Sequence, residues 1–481
     1  MKQTMTMSKQ VPRLLFCFVA AIIGLTGCAG GGGSSSTSGG GIPPQPQPVN
    51  AAPTLQFSAQ PVSIFLRQSS TLSWTTTNAT KVSIANLGDF PAVGSTSVSP
   101  TTTQTYTATA TGPNGSATTS VTVTVAATAS PIQHVIVLIL QNNSFDHLFG
   151  VFPAPTGQTI EGIRPGIPGF TQVDAAGKSV SPFLLTDTSP SALPERHADY
   201  VADLDAGAMD KFAATEGDVS MGYYDNTTPG MATLWGLAQQ FALADQYFQS
   251  VLVEAPTNQL YMVAASDNNR AFSVQPAFGP CTTPDSQSKP YTFTHVGDQL
   301  TAQNISWTFF QESYANCGAF IPAHDPFQYF TDTQNTDHIQ PYSNFTQQLN
   351  SGTLPPVTFI SPAIGHDMHP GDGSIQGGIN FTAKLVQAVQ NSTIWPDTAI
   401  LITWDTGGGW YDHVAPQQLD NQGLGFRVPL LVVSPLAKPA YVSHTVMDHV
   451  SILRFIQWNW GLNSLNARNQ LSGELRDMFS F

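Results

Sequence analysis

Charged residues are scarce in this sequence. Only 10% of its 481 residues are Asp, Glu, Lys or Arg, against roughly 25% in ordinary soluble domains. No basic run follows the first dozen residues, and a nucleic-acid groove needs clustered Lys and Arg to neutralise phosphates. We therefore expect no nucleic-acid partner. The surface is expected to be rich in Ser, Thr, Asn and Gln instead, as is common in exported proteins.

Cysteine is also scarce, with four residues in the chain. Cys17 and Cys28 lie in the N-terminal leader, which leaves Cys281 and Cys317 as an even pair. Because exported proteins mature in an oxidising compartment, we expect a disulfide between these two residues. The alternative is a pair of buried free thiols.

The N-terminal hydrophobic run is too short for a comfortable membrane span. It covers residues 14–25 and follows several basic residues, which is the layout of a signal peptide. It ends at Thr26, Gly27 and Cys28, and small residues before a cysteine resemble the lipobox of bacterial lipoproteins. The resemblance implies that residues 1–28 are a lipoprotein signal peptide and that Cys28 carries lipid. The protein would then be exported and attached to a membrane of the cell envelope, at the outer membrane or the cell surface. Ordinary cleavage nearby and an uncleaved anchor are the alternatives.

The next segments change in composition twice. Residues 29–52 are rich in Gly, Ser and Pro and are expected to form a flexible to semi-rigid linker. Residues 53–127 alternate apolar and polar side chains, and Asn114-Gly115 is a hairpin signal, so we predict an all-β sandwich. This segment resembles bacterial immunoglobulin-like (Ig-like) modules, although it has no cysteine. A spacer is the favoured role, and a carbohydrate-binding or adhesive module is the alternative.

The C-terminal segment, residues 131–481, has the pattern of an α/β domain. Short continuous apolar runs are typical of buried parallel strands, and they occur at residues 132–140, 357–360, 399–404 and 428–433. Helical patterns lie between or after them at residues 231–247, 381–391 and 450–460. Strands that alternate with helices predict a doubly wound, mainly parallel sheet.

Polar side chains follow two of these predicted strands directly. Gln141 and Asn142 come after the first strand, and Asp405 and Thr406 come after the third. In such sheets the ligands bind at the carboxyl ends of the strands, so these four oxygen-bearing side chains are expected to converge on one site.

Motifs throughout the C-terminal segment resemble those of one family. The first resembles the Glu-Asn-Arg-Ser-Phe-Asp-His signature of bacterial phospholipases C and related acid phosphatases, with Gln in place of Glu and Asn in place of Arg. The matching motifs, in chain order, are residues 141–147, 242–248, 255–258, 324–327, 367–369, 404–414, 425–431 and 448–449. The resemblance covers nearly all of residues 131–462 and implies membership of the alkaline-phosphatase-like superfamily. It therefore implies metal-assisted phosphoryl transfer from a phosphomonoester or phospholipid to a Ser or Thr.

The same resemblance assigns roles to individual residues. Thr257 follows a proline and opens a helical stretch, where free backbone N–H groups suit a phosphate; it is the implied nucleophile. By itself it would be interpreted as a helix N-cap. The candidates for phosphate contacts and proton transfer are His324, His369 and His413. The resemblance does not assign which of them is the general acid. The implied substrate-binding residues are Asn258 and His197, whereas His366, Asp412 and His449 are equally compatible with structural roles.

Two departures from the family pattern concern the divalent metal. The implied ligands are Gln141, Asn142, Asp405 and Thr406, with Thr257 beside them. Gln141 replaces a Glu and Thr406 replaces an acid, so two oxygen donors bring no charge. Divalent ions of this kind favour carboxylates, so the metal is expected to be weakly bound, different or missing. The leading hypothesis is a phosphoric-ester hydrolase. The alternatives are a degenerate member that binds phosphorylated ligands without turnover and, third, an adhesin that acts through its β module.

Overall fold

A computed structural model describes residues 51–268, 290–314, 316, 320–334 and 336–481. Cys28, Cys281 and Cys317 lie outside the described residues, as do the signal peptide and nearly all of the linker. Lipidation and the disulfide therefore stay predictions. Within the described ranges, no helix has both the length and the apolar character needed to cross a bilayer.

The N-terminal part of the described chain consists of β-strands. They are β1 (Thr54–Gln60), β2 (Ser63–Ile64), β3 (Ser70–Thr77), β4 (Lys81–Ile84), β5 (Gly88–Pro91), β6 (Gly94–Val98), β7 (Gln104–Gly112) and β8 (Gly115–Val125). Strands β1, β3 and β6 form one sheet, and β2, β8, β7, β4 and β5 form the other in that order. Alternate residues such as Leu72, Trp74, Val82 and Ile84 share one buried core, which is what a period of two produces. The assignment as Ig-like stays a prediction.

The hairpin predicted near Asn114 is present. Gly112 at the end of β7 pairs with Gly115 at the start of β8. The two-residue turn is therefore Pro113 and Asn114, one residue earlier than the Asn-Gly pair suggested. Gly115 has φ +116°, a conformation that L side chains rarely adopt, so its glycine is needed at the first position of the returning strand.

The C-terminal part combines strands and helices. Its strands are β9 (His134–Leu140), β10 (Gln172–Val173), β11 (Ser179–Val180), β12 (Phe183–Leu184), β13 (Gly222–Tyr223), β14 (Ala242–Ala244), β15 (Tyr247–Phe248), β16 (Trp307–Gln311), β17 (Ile339–Pro341), β18 (Val357–Ser361), β19 (Thr398–Trp404), β20 (Leu430–Val433), β21 (Tyr441–Ser443) and β22 (Met447–Asp448). Its helices are α1 (Phe145–Phe149), α2 (His197–Leu204), α3 (Phe212–Thr215), α4 (Met231–Gln240), α5 (Ala255–Ala264), α6 (Val296–Ala302), α7 (Tyr342–Ser351), α8 (Ile375–Gln390), α9 (His449–Trp460) and α10 (Ala467–Leu471).

One eight-stranded sheet organises this part, in the order β17-β16-β18-β9-β19-β20-β14-β21. The first five strands in that order are mutually parallel. Strands β9 and β19 are buried along almost their whole length, as continuous apolar runs in a covered sheet should be. The predicted mainly parallel α/β sheet is confirmed.

The apolar run at residues 428–433 differs from its prediction as a parallel strand. It forms β20, which is antiparallel to both of its neighbours, β19 and β14. The physical reason is the connection, because residues 405–429 contain no helix. A parallel neighbour needs a crossover, usually helical, whereas a chain that returns without one pairs antiparallel.

The predicted helix at residues 231–247 is also too long. The helix α4 ends at Gln240, and residues 242–244 form β14 between β20 and β21. Ala and Leu favour helix locally, but here sheet pairing on both sides of the segment prevails. The helix predicted at residues 450–460 matches α9, and the one predicted at residues 381–391 begins earlier, after the N-cap Ser374.

Candidate active site

The carboxyl ends of β9 and β19 meet, as predicted. The two strands are parallel with Leu140 opposite Trp404, so the residues that follow them emerge side by side. The Asn142 backbone N–H donates to Asp405 Oδ1 at 3.2 Å. The Thr406 hydroxyl donates to Asn142 Oδ1 at 2.8 Å. Three of the four predicted metal ligands are thus linked by direct hydrogen bonds.

The backbone at Asn142 is in the left-handed region, with φ +56°. This turn directs its N–H towards Asp405 while its carbonyl faces the loop after β19. A Cβ at Gly408 would lie 2.5 Å from the Asn142 carbonyl oxygen, far closer than a real contact allows. The glycine at 408 therefore permits the two loops to approach each other closely.

Asp405 is a fully buried carboxyl held by two donors. Besides the Asn142 N–H, the side chain of Gln259 donates to Asp405 Oδ2 at 2.8 Å. Burial raises the pKa of Asp405 to about 7, with the nearby charge of Glu195 adding to the rise and both hydrogen bonds opposing it. Gln259 belongs to α5, the helix that also carries Thr257, so its hydrogen bond fixes that helix at the strand ends.

Thr257 lies in the first turn of α5. Glu254 is the N-cap residue and Pro256 occupies the first turn, so Thr257 is not a cap. Its side chain is buried, at 2% exposure. The helix contacts the 3₁₀ helix Pro322–His324, which brings the elements that carry two predicted catalytic residues together.

Asn258 is held by the loop that precedes α5. Its Nδ2 donates to the carbonyls of Val251 and Val253 at 3.1 and 2.8 Å, and its Oδ1 accepts from the Val251 N–H at 3.0 Å. These bonds shape the approach to Thr257. The substrate-binding role of Asn258 stays a prediction.

His369 lies between acidic groups. Its Nε2 is 3.5 Å from Glu195 Oε1, and its Nδ1 is 3.2 Å from Asp372 Oδ2. Burial lowers the pKa of His369, but Glu195 and Asp372 outweigh it and raise the pKa to about 9. His369 is therefore protonated at neutral pH and supplies a positive charge near Asp405.

His324 has the opposite electrostatic character. It is buried, and among the described residues its Nδ1 has no hydrogen-bond partner. Burial, together with a smaller effect from the positive charge of His369, lowers the pKa of His324 to about 3. The structure therefore pairs a neutral histidine with a charged one.

His413 contacts a different set of carboxylates. Its Nδ1 is 2.6 Å from Asp146 Oδ2, and its Nε2 is 3.2 Å from Glu161 Oε1. The carboxylates of Asp146 and Asp412 also bind the buried guanidinium of Arg427, at 2.8 and 3.1 Å. This arrangement favours the structural alternative for Asp412, and the catalytic role of His413 stays a prediction.

The other histidines of the sequence analysis make separate contacts. His197 Nδ1 lies 2.7 Å from the Leu252 carbonyl. His366 contacts Glu312 at 2.9 Å, and His449 Nε2 donates to the Trp404 carbonyl at 3.0 Å. The contacts of His366 and His449 fit the structural interpretation, and the substrate-binding role of His197 stays a prediction.

The sequence analysis missed Glu195 and Gln259. Glu195 Oε1 accepts a 2.6 Å hydrogen bond from Asn142 Nδ2, and Gln259 bonds to Asp405. A signal for Glu195 existed, because it lies two residues before His197, which the family resemblance implies as a substrate-binding residue. Gln259 had none, since a polar residue inside a helix is ordinary.

Among the residues that the structure describes, two clusters of His and Asp have ligand atoms within 4.8 Å of one another, close enough to hold a metal: Asp146, Asp412 and His413, and His295, Asp298 and Asp332. In the first cluster Arg427 already neutralises both carboxylates. In the second, His295 Nδ1 accepts from the Asp298 N–H, so its other nitrogen carries the proton and is unavailable to a metal.

The residues at the strand ends form an oxygen-rich donor set. Asn142 Oδ1, Thr406 Oγ1 and the Asp405 carboxylate lie together, and Gln259 Oε1 is a buried oxygen with no hydrogen-bond partner among the described residues. Gln141, the fourth predicted ligand, is also buried, but its side-chain nitrogen has no hydrogen-bond partner among the described residues, and its role as a ligand stays a prediction. Oxygen donors with one carboxylate fit a hard divalent cation.

Comparison with known proteins identifies the family of this chain. Residues 132–463 match the Phosphoesterase family, so the chain belongs to that family. Among curated relatives, it is 25% identical over 418 residues to the non-hemolytic phospholipase C of Pseudomonas aeruginosa, covering 73% of this chain and 57% of the relative. It is 25% identical over 426 residues to phospholipase C A of Mycobacterium tuberculosis, covering 73% of this chain and 77% of the relative. It is 24% identical over 401 residues to the non-specific phospholipase C3 of Arabidopsis thaliana, covering 73% of each. The chain thus spans less than two thirds of the length of the Pseudomonas relative.

Proposed function

We propose that this chain is a phosphoric-ester hydrolase of the phospholipase C or acid phosphatase type. The observation that carries the proposal is the convergence of Asn142, Asp405 and Thr406 beside the helix that bears Thr257. The relatives named phospholipase C add support. Its substrates would be phospholipids or phosphomonoesters.

The proposed nucleophile is Thr257. Its hydroxyl oxygen attacks phosphorus, the bond to the leaving alcohol breaks, and the leaving oxygen takes a proton. Water then hydrolyses the phosphothreonine and releases phosphate or a phosphomonoester, which restores the hydroxyl. The first-turn N–H groups of α5 face the reacting group and suit its negative charge.

In this proposal the histidines have different roles in phosphate binding and proton transfer. His369, whose pKa is raised to about 9, holds a proton and a positive charge for the phosphate oxygens. His324, whose pKa is lowered to about 3, is neutral, and its Nδ1, which has no partner among the described residues, can accept a hydrogen bond from a hydroxyl. His413 is placed by Asp146, and Asn258 shapes the loop beside the nucleophile.

A divalent ion would be held by Asn142, Asp405 and Thr406, with Gln141 in the wider donor set. When bound, it would neutralise charge on the phosphate and lower the pKa of the attacking hydroxyl. Gln259 orients Asp405 for this task through its 2.8 Å hydrogen bond.

We further propose that the protein is exported and tethered at Cys28, with the linker and the Ig-like β module as a spacer. The support is the lipobox-like sequence and the Gly/Ser/Pro-rich residues after it. Mass spectrometry of the membrane fraction should find an acylated N-terminal peptide at Cys28. An unmodified N-terminus elsewhere would reject the tether.

The catalytic proposal is tested with purified protein on p-nitrophenyl phosphate and on phosphatidylcholine, with and without added divalent ions. The matched variant is Thr257→Ala. We expect turnover by the wild type and loss of turnover by the variant. If the wild type binds both compounds and hydrolyses neither, the degenerate-binder alternative replaces this proposal.

A further inference from the structure

The strand-end site carries less negative charge than the family resemblance implies. Gln141 and Thr406 are neutral, which leaves Asp405 as the carboxylate among the four implied ligands. A divalent cation that binds through oxygen depends on the number of charged ligands for its affinity. A site with one carboxylate should therefore be weak unless another element supplies charge.

Glu195 is such a source of charge. It lies in the segment just before α2. That segment contributes no strand to the eight-stranded sheet. Its Oε1 accepts from Asn142 Nδ2 at 2.6 Å and lies 3.5 Å from His369 Nε2. The side chain is 24% exposed, so it is largely withdrawn from water and its charge is poorly screened.

The contact with Glu195 also sets the orientation of the Asn142 amide. Because Nδ2 donates to Glu195, Oδ1 points the other way, where it meets the Thr406 hydroxyl at 2.8 Å. The amide oxygen is thus held on the side of Thr406, another of the implied ligands. Carboxylates that support a ligand in this manner typically change metal affinity by about 10-fold to 100-fold.

We propose that Glu195 is a positioning residue that restores the negative charge missing at positions 141 and 406 and holds Asn142 Oδ1 toward a divalent cation. This inference rests on the metal-assisted phosphoester hydrolysis proposed above.

The test is isothermal titration of Mn²⁺ and of Ca²⁺ into the metal-free full chain. Glu195→Gln keeps an oxygen that can accept from Asn142 and removes the charge, so it isolates the electrostatic contribution. We expect its Kd to rise by about 10-fold or more. Glu474→Gln is the matched control, since Glu474 pairs with Arg454 and Arg476 and should leave the Kd unchanged.

A rescue variant makes the test sharper. Adding Thr406→Asp to Glu195→Gln returns a carboxylate to the other side of Asn142, so it should recover most of the lost affinity. Wild-type affinity in Glu195→Gln would overturn the inference, as would a wild type that binds neither ion. Hydrolysis of p-nitrophenyl phosphate is measured separately. If cation binding depends on Glu195 and no phosphoester is hydrolysed, the inference stands and the proposed function fails.

Discussion

Arg427 offers the most quantitative test of this structure. The guanidinium is fully buried and donates to carboxylates and to backbone carbonyls at the same time. Its Nε lies 3.1 Å from both oxygens of Asp412, and its Nη2 lies 2.8 Å from Asp146 Oδ1. Its Nη1 donates to the carbonyls of Glu161 and Asp245 at 2.7 and 2.9 Å.

The substitution Arg427→Met keeps much of the side-chain volume and removes the charge. The buried carboxylates of Asp146 and Asp412 then lose the guanidinium between them, which leaves His413 as the cation in contact with Asp146, and two carbonyls lose their donor. Removing one partner of a buried ion pair costs about 3–5 kcal/mol because the remaining charge is uncompensated. We expect the free energy of unfolding at pH 7 to fall by an amount in this range.

The loss should depend on pH in a defined direction. Burial raises the pKa of Asp146, but Arg427 and His413 outweigh it and hold that pKa low, and Arg427 also opposes the raised pKa of Asp412. Without Arg427, the folded-state pKa of Asp146 rises, and the pKa of Asp412, which burial already raises to about 6, rises further. The folded variant then binds protons more tightly than the unfolded chain does. Its loss of unfolding free energy relative to the wild type is therefore largest at neutral pH and becomes smaller towards pH 5.

Urea denaturation at pH 7.5 and pH 5.0, followed by tryptophan fluorescence, measures both effects. Arg476→Met is the control, since Arg476 is 47% exposed and pairs with Glu474 at the surface. An exposed pair is worth at most about 1 kcal/mol. If Arg427→Met costs no more than the control, or if its deficit grows on acidification, the buried network does not stabilise the fold as described.

Three further predictions concern the site. Thr257→Ala should lower turnover of p-nitrophenyl phosphate by at least about 1,000-fold, whereas Thr257→Ser should keep part of the activity. Full activity in the Ala variant would reject Thr257 as the nucleophile. Gln141→Glu with Thr406→Asp should tighten Mn²⁺ binding in calorimetry by about 10-fold or more, and an unchanged Kd would remove these positions from the cation site. The folded-state pKa of His369 is raised to about 9. Its protonation therefore stabilises the folded state fully below about pH 6.5, and this stabilisation is lost as the pH rises through 9. The free energy of unfolding should fall by at most about 3 kcal/mol. Urea unfolding across this range should show that fall in the wild type and not in His369→Gln, and parallel curves would contradict it.

Much of the sheet could be predicted from local pattern. The continuous apolar run before Gln141 predicted a buried parallel strand, and β9 lies in the middle of the sheet. The polar residues after β9 and β19 predicted one site, and Asn142, Asp405 and Thr406 are in contact. These predictions succeeded because side-chain periodicity reports burial, and because parallel neighbours place their carboxyl ends at one edge.

Other features depended on pairings between distant parts of the chain. The antiparallel direction of β20 follows from a connection without a helix, and residues 242–244 became a strand because two strands flank them. The contacts of Asn142 with Glu195, and of Asp405 with Gln259, join segments that lie 53 and 146 residues apart. The sequence by itself determined the buried strands β9 and β19 and the polar residues that follow them. Only the tertiary structure decided which carboxylate and which amide complete the site, because contacts between remote segments leave no periodic signal in either segment.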